Sequence, residues 1–266
     1  MAIATGKRRV SGVEIEIRSG GEGRPLLFLH GGLGFLKHET FLEALAVGHR
    51  VIAPAHPGFE ASEWPRDFRS VADIAYLYLD LAETLKLEDA VLVGSGFGGW
   101  LALEMLVRTT AGFGHTVLVN SLGVKFGDRG TRDIADIHAM AKADADKLLF
   151  HDPATAAFDA TRMSDAELTA IARNREALVF YGWKPYMHNP SLRRWLHRVE
   201  LPTLVAWGGA DGFVAPDYGR KLAQALPDAR FTAIEGAGHY PAVETPEKLA
   251  LLIRDFAAGR NADAAA

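Results

Sequence analysis

Val91-Leu92-Val93-Gly94-Ser95-Gly96-Phe97-Gly98-Gly99-Trp100 is the stretch whose reading decides the fold. A β-branched run enters a turn of small residues and leaves into Leu101-Ala102-Leu103-Glu104-Met105-Leu106, a helical composition. The segment reads as strand, elbow, helix. The pattern G-x-S-x-G sets a nucleophilic serine on such an elbow. Gly94 and Gly98 hold the outer glycine positions, but the central residue is Gly96. Ser95 is out of register, because the residues two positions to either side of it are Val93 and Phe97. Glycine enters strained backbone regions cheaply, so Gly96 keeps the turn while the hydroxyl is missing.

Outward from the elbow, strands and helices alternate. Val10 to Ile17 alternates apolar and polar, as a half-exposed strand does. Gly20-Gly21-Glu22-Gly23 is a turn, and Pro25-Leu26-Leu27-Phe28-Leu29 is a continuous apolar run suited to a buried parallel strand. A helix over Phe41–Leu45 and a strand over Arg50–Ala53 follow. Ser70-Val71-Ala72-Asp73 opens a long helix with a capping box, expected to run to about Leu87. After the elbow helix comes the strand Thr116–Asn120.

The rhythm breaks after Ser121. From Leu122 to about Leu201 the pattern is helical with no strand, and Ser164-Asp165-Ala166-Glu167 caps one helix there. Strands resume at Thr203–Trp207 and Arg230–Ile234, with a helix after Pro216 and a last one from Thr245-Pro246-Glu247. Repeated strand–helix units imply a parallel sheet covered on both faces. The expected division is a core over 1–121 and 202–258, a helical cap over 122–201, and a frayed tail over 259–266.

Ligands bind beyond the C-terminal edge of such a sheet. Four polar or glycine-rich segments fall there. His30-Gly31-Gly32-Leu33-Gly34 follows the first buried strand, and its amides suit an oxyanion hole. The Phe97 amide at the elbow is the other expected donor. Trp207-Gly208-Gly209-Ala210-Asp211 brings an acid to a strand end, and Gly236-Ala237-Gly238-His239-Tyr240-Pro241 brings a histidine to another. The order elbow, acid, histidine is the α/β-hydrolase order.

With His56-Pro57-Gly58-Phe59-Glu60-Ala61-Ser62 after the strand ending at Ala53, and the helical cap after the sixth major strand, the chain resembles the α/β-hydrolase fold over nearly its whole length. It most resembles the capped branch that holds the meta-cleavage-product hydrolases, epoxide hydrolases and haloalkane dehalogenases. The resemblance implies that Asp211 is the acid, His239 the base, and the second oxyanion donor lies near Gly32 and Leu33. The family's nucleophile position maps onto Gly96. Dehalogenase and epoxide-hydrolase chemistry needs aspartate there and is excluded.

The 266 residues, 48% apolar, allow a substantial core in one α/β domain with an insertion. A net charge of −4 without a basic stripe argues against nucleic acid as a partner. The chain has no cysteine, which removes disulfides and thiolate chemistry. No signal-peptide core and no run near the roughly 20 apolar residues of a membrane span are present, so a cytoplasmic chain is the default expectation. Asp133, Asp136 and His138 are expected on a solvated helix face rather than in a metal site, and no cofactor is expected.

Aromatic and Met residues, Phe180, Tyr181, Trp183, Tyr186, Met187 and Trp195, enrich the cap. An apolar or aromatic small molecule is therefore the expected substrate, with Trp183 and Tyr186 as pocket walls and Ser95 and Ser121 near the ligand. Loss of a triad nucleophile typically costs about six orders of magnitude in turnover. Three readings follow. The His239–Asp211 dyad acts as general base on water or on the substrate, as in lyase, isomerase or cofactor-free oxygenase chemistry. Alternatively, Gly96 replaces the serine of a conventional hydrolase for esters or C–C bonds. The third is a non-catalytic small-molecule binder on the same fold.

Overall fold

The computed structural model describes residues 2–128 and 130–260. The chain opens with a hairpin of β1 (Ala4–Val10) and β2 (Val13–Gly20). The two residues between them, Ser11 and Gly12, have φ of 45° and 87°. Positive φ at both central positions gives the tight hairpin turn whose twist matches the strands. The alternation from Val10 to Ile17 is therefore not one strand. It spans the turn, with Val10 paired to Val13.

There follow β3 (Arg24–Leu29), α1 (Glu39–Leu45), β4 (His49–Pro54), α2 (Val71–Thr84), β5 (Ala90–Ser95), α3 (Phe97–Leu106) and β6 (Phe113–Val119). The Ser70–Asp73 capping box forms at the start of α2. That helix stops at Thr84, short of Leu87, because Lys86 takes a φ of 49° and the Leu87 amide turns back to the Ala82 carbonyl. After the insertion come β7 (Thr203–Gly208), α7 (Pro216–Ala225), β8 (Ala229–Ile234), a short helix (Pro241–Glu244) and the closing helix (Pro246–Ala257). Beyond it, Gly259 and Arg260 still donate to Phe256 and Asp255, so the chain is held to Arg260 rather than frayed from 259. The rest of the expected tail, 261–266, lies outside the described residues.

The eight strands form one sheet in the order β1-β2-β4-β3-β5-β6-β7-β8. The hairpin strands pair antiparallel and β3 to β8 are parallel. Their apolar runs divide by period two between the faces. Leu26, Phe28, Val91, Val93, Val117, Val119, Leu204 and Ala206 pack with Phe41 and Leu45 of α1 and Leu249 and Ile253 of the closing helix. Leu27, Leu29, Leu92, Leu118, Val205 and Trp207 pack on the other face with α2, α3 and α7. Burial on both faces explains the continuous apolar runs.

Between β6 and β7, the described residues form helices, turns and a single isolated bridge, Gly123 to His188. The helices are α4 (Lys142–Leu149), α5 (Asp165–Gly182) and α6 (Leu192–Trp195). The expected Ser164–Glu167 capping box opens α5. Asp133 lies in a loop, not on a helix face, where its carboxylate accepts from the Phe126 and Gly127 amides and pairs with Lys125. No helix among the described residues is long and apolar enough to cross a membrane.

Candidate active site

The elbow forms because α3 starts within contact of two strands. A Cβ on Gly98 would lie 2.0 Å from the Leu29 carbonyl oxygen, and one on Gly94 would lie 2.5 Å from the Gly98 oxygen. Only glycine permits this approach, which drops α3 onto the ends of β3 and β5. Gly96 is the N-cap of α3, with φ 52° and ψ −112°. Its amide donates to the Val119 carbonyl. The Phe97 amide begins the helix, where no intrahelical acceptor exists.

His239 and Asp211, 28 residues apart in sequence, meet above the elbow. Nδ1 of His239 lies 2.8 Å from Oδ2 of Asp211, and both side chains are buried. The carboxylate can only accept, so Nδ1 carries the proton and Nε2 the lone pair. Asp211 Oδ1 accepts from the Phe213 and Val214 amides at 3.0 and 2.9 Å. Nε2 of His239 has no hydrogen-bond partner among the described residues and lies 3.1 Å from where a Cβ on Gly96 would stand.

Asn120 is a residue that the sequence reading passed over. It follows β6, is fully buried, and takes a φ of 45°. Its Oδ1 accepts from the Gly208 amide at 3.1 Å, which fixes the amide's orientation. Nδ2 then donates to Asp211 Oδ2 at 2.7 Å. Four N–H groups thus converge on the Asp211 carboxylate, an arrangement suited to the anion. The available signal was its position, a polar residue at the C-terminal end of a sheet strand.

The loop after β3 is held by histidines. His56 Nε2 donates to the His30 carbonyl at 2.9 Å, and the Tyr78 hydroxyl donates to His56 Nδ1 at 2.7 Å. The His56 amide donates to His30 Nε2 at 3.1 Å, and His30 Nδ1 donates to the Gly31 carbonyl at 2.8 Å. Every ring nitrogen is used in the neutral form. Among the described residues the Gly32 and Leu33 amides have no acceptor. Burial pushes His56 down to about 3 and His38 to about 4, and burial with the neighbouring His56 pushes His30 well below its ordinary value.

These shifts make the fold acid-sensitive. In the unfolded chain each histidine titrates near 6.5. Below that pH the unfolded state binds protons that the folded state refuses, so stability falls as pH drops toward 4, by up to about 1.4 kcal/mol per pH unit for each histidine. Urea unfolding is expected to give a constant stability above about pH 7.5 and a clear loss by pH 5. Equal midpoints at the two values would contradict the neutral network.

A cavity of about 450 Å³ lies between the insertion and the core. Its walls include Leu33, Leu36, Leu149, Phe150, Leu178 and Tyr240, with Lys37 and Arg175 adding positive charge and Lys142 paired with Asp146. Its lining reaches Gly32 and Leu33 but contains neither Gly96 nor His239. The imidazole itself stands over Gly96. Leu178 of α5 covers Gly32, its Cδ2 lying 2.6 Å from where a Cβ on that glycine would be.

The structure moves other expected residues away. Trp183 and Tyr186 line a second cavity of about 300 Å³ with Lys125, Arg132, Asp133 and Asp136. Trp183 is 55% exposed there. They fall outside the first cavity because they follow the end of α5, past the face that carries Ile171, Asn174 and Leu178. Ser121 is buried with Oγ donating to the Leu122 carbonyl, and Oγ lies 2.5 Å from the position of a Cβ on Gly99. Ser95 ends β5 and is buried. Neither serine lines a cavity described above. Among the described residues no cluster of three or more His, Asp or Glu is arranged to hold a metal.

A mostly parallel eight-stranded sheet, a glycine elbow and an acid–histidine pair at its C-terminal edge define an α/β hydrolase fold. The chain belongs to the alpha/beta hydrolase family, whose sequence model matches residues 26–250. It is 29% identical over 273 residues to a 2-hydroxymuconate semialdehyde hydrolase of Pseudomonas sp. (strain CF600), covering 96% of this chain and 94% of that protein. It is 26% identical over 275 residues to a 2-hydroxy-6-oxo-6-phenylhexa-2,4-dienoate hydrolase of Burkholderia cepacia, covering 96% and 95%. The crystal structure of a serine hydrolase involved in carbazole degradation superposes with a TM-score of 0.78 at 21% identity, over 97% of this chain and 100% of that one.

Proposed function

We propose that this chain is an enzyme in which the Asp211–His239 dyad acts as a general base without a covalent serine intermediate. The observation that carries the reading is the free Nε2 lone pair of His239, aimed at Gly96 while Nδ1 is tied to a four-donor carboxylate. Gly96 stands where relatives of this fold carry their nucleophile, and it offers no oxygen to acylate. Nε2 takes a proton from water or from the substrate, and Asp211 stabilises the imidazolium that forms. The Phe97 amide and the Gly32–Leu33 amides are the proposed donors to developing negative charge. The insertion over 122–201 serves as the cap.

The substrate is an apolar or aromatic small molecule bearing an acidic group. The apolar walls, the cations at Lys37 and Arg175, and the names of the hydrolase relatives support this. Arg175 has no hydrogen-bond or ion-pair partner among the described residues, which leaves its guanidinium available to a carboxylate.

A second reading, a serine hydrolase inactivated by Gly96, is favoured by one observation. The elbow keeps its special conformation although glycine no longer requires the chain to be held there. Reversal is not free, because a Cβ at 3.1 Å from Nε2 obliges His239 to shift by a few tenths of an ångström. Rapid mixing with 6-oxo-dienoate and aryl-ester substrates separates the two. The native chain is expected to release product in a single phase, with no mass adduct and no labelling by a serine-directed phosphonate. An acyl adduct on the native chain would sink the base-only reading. Burst kinetics and labelling confined to Gly96→Ser, with the native chain inert on every substrate, would establish the second.

A further inference from the structure

The insertion is fastened to both loops of the dyad. The Leu148 carbonyl, at the end of α4, accepts from the Gly212 and Phe213 amides at 2.9 and 3.0 Å, beside Asp211. The Leu149 carbonyl accepts from the His239 amide at 2.7 Å. There is no slack at this contact, since a Cβ on Gly238 would lie 2.6 Å from the Leu149 oxygen and 2.8 Å from the His151 nitrogen.

One side chain closes the junction. Glu244 ends the short helix that follows His239. Its Oε2 accepts from the Gly238 amide at 2.7 Å. Its Oε1 accepts from the His151 and Asp152 amides at 2.7 and 3.1 Å. A carboxylate can accept on both oxygens at once, and such charge-assisted bonds to N–H groups are the strong kind. Glu244 therefore bridges the residue before His239 to the two residues that follow Phe150. Leu149 and Phe150 are also walls of the 450 Å³ cavity, as are Ala145 and Asp146 on the same helix.

We propose that Glu244 is a positioning residue, which sets the direction of the His239 imidazole by locking the His239 loop to the cavity wall at 148–152. The inference rests on the reading of His239 as the base, but its geometry does not. A molecule filling the cavity presses on the same wall, so Glu244 transmits its seating to the base.

The test uses uniformly ¹⁵N-labelled full-length chain without substrate, comparing the native protein with Glu244→Gln and Glu244→Ala. In Glu244→Ala, amide exchange at Gly238, His151 and Asp152 is expected to rise about tenfold or more, with Leu92 and Val117 in the sheet unchanged. The His239 ring resonances are expected to move. Glu244→Gln keeps one carbonyl oxygen but turns an NH₂ toward N–H donors, so it holds one side of the junction and is expected to give an intermediate shift. The isosteric variant also serves if the alanine variant fails to fold. Unchanged His239 resonances in Glu244→Gln alongside faster exchange at 151 and 152 would overturn the proposal and reduce Glu244 to a structural clip. Unchanged exchange in that variant would overturn it as well. Failure of the base reading is seen separately, as turnover that survives removal of His239.

Discussion

His239→Ala is expected to lower kcat by about 10²–10⁴-fold, with KM nearly unchanged. The base contributes only when a proton moves, so its loss falls on the chemical step. The 450 Å³ cavity does not include His239 in its lining, so binding there is expected to lose little. The fold is expected to survive, because Asp211 keeps the Phe213, Val214 and Asn120 donors after the imidazole is gone. Steady-state kinetics beside a thermal melt provide the check. Activity within threefold of the native chain would end the case for His239 as base. Collapse of the melt would instead trace the loss to folding.

Gly98→Ala is expected to destabilise the chain by about 3–5 kcal/mol, enough to unfold many domains of this size. The added methyl would lie 2.0 Å from the Leu29 oxygen, 2.4 Å from the Leu29 carbon and 2.6 Å from the His30 oxygen. All three are backbone atoms, so no side chain can swing aside. Relief requires α3 to retreat from β3, which would open the sheet and carry the Phe97 amide away from the histidine loop. Gly6→Ala is the matched control, because a Cβ there meets nothing within 4 Å. Urea midpoints are expected to separate the two variants widely. A Gly98→Ala protein as stable as Gly6→Ala would show that the close approach at the elbow is not real.

What the sequence revealed was local or ordered along the chain. The apolar runs from Leu26 and Val91, the capping boxes at Ser70 and Ser164, and the glycines around the elbow each encode their structure within a few residues. Asp211 and His239 stand out in the sequence because each follows a strand in a known order. Asn120 and Glu244 escaped notice because their partners are distant and partly backbone. Asn120 reaches Asp211 across 91 residues, and Glu244 reaches the His151 amide across 93. A backbone amide has no letter in the sequence. Trp183 and Tyr186 are the converse case. Aromatic content placed them at the pocket, while the exit of the chain from α5 turns them to a different hollow. Similarly, the alternation around Val10 concealed a hairpin, since Val10 and Val13 flank its turn and stay in phase on one face.

Gly96 bears on the history open to this chain. A residue with a β-carbon held at φ 52° and ψ −112° stores strain on the order of 1–3 kcal/mol. Glycine releases that strain, and in this structure the imidazole stands where a returning side chain would crowd it. Placing a serine at position 96 would introduce that strain and shift His239 together. Glycine at 96 is thus the relaxed state and any side chain there the strained one, an asymmetry that favours glycine wherever no nucleophile is required. Acyl-enzyme chemistry at this position would have to outweigh both costs.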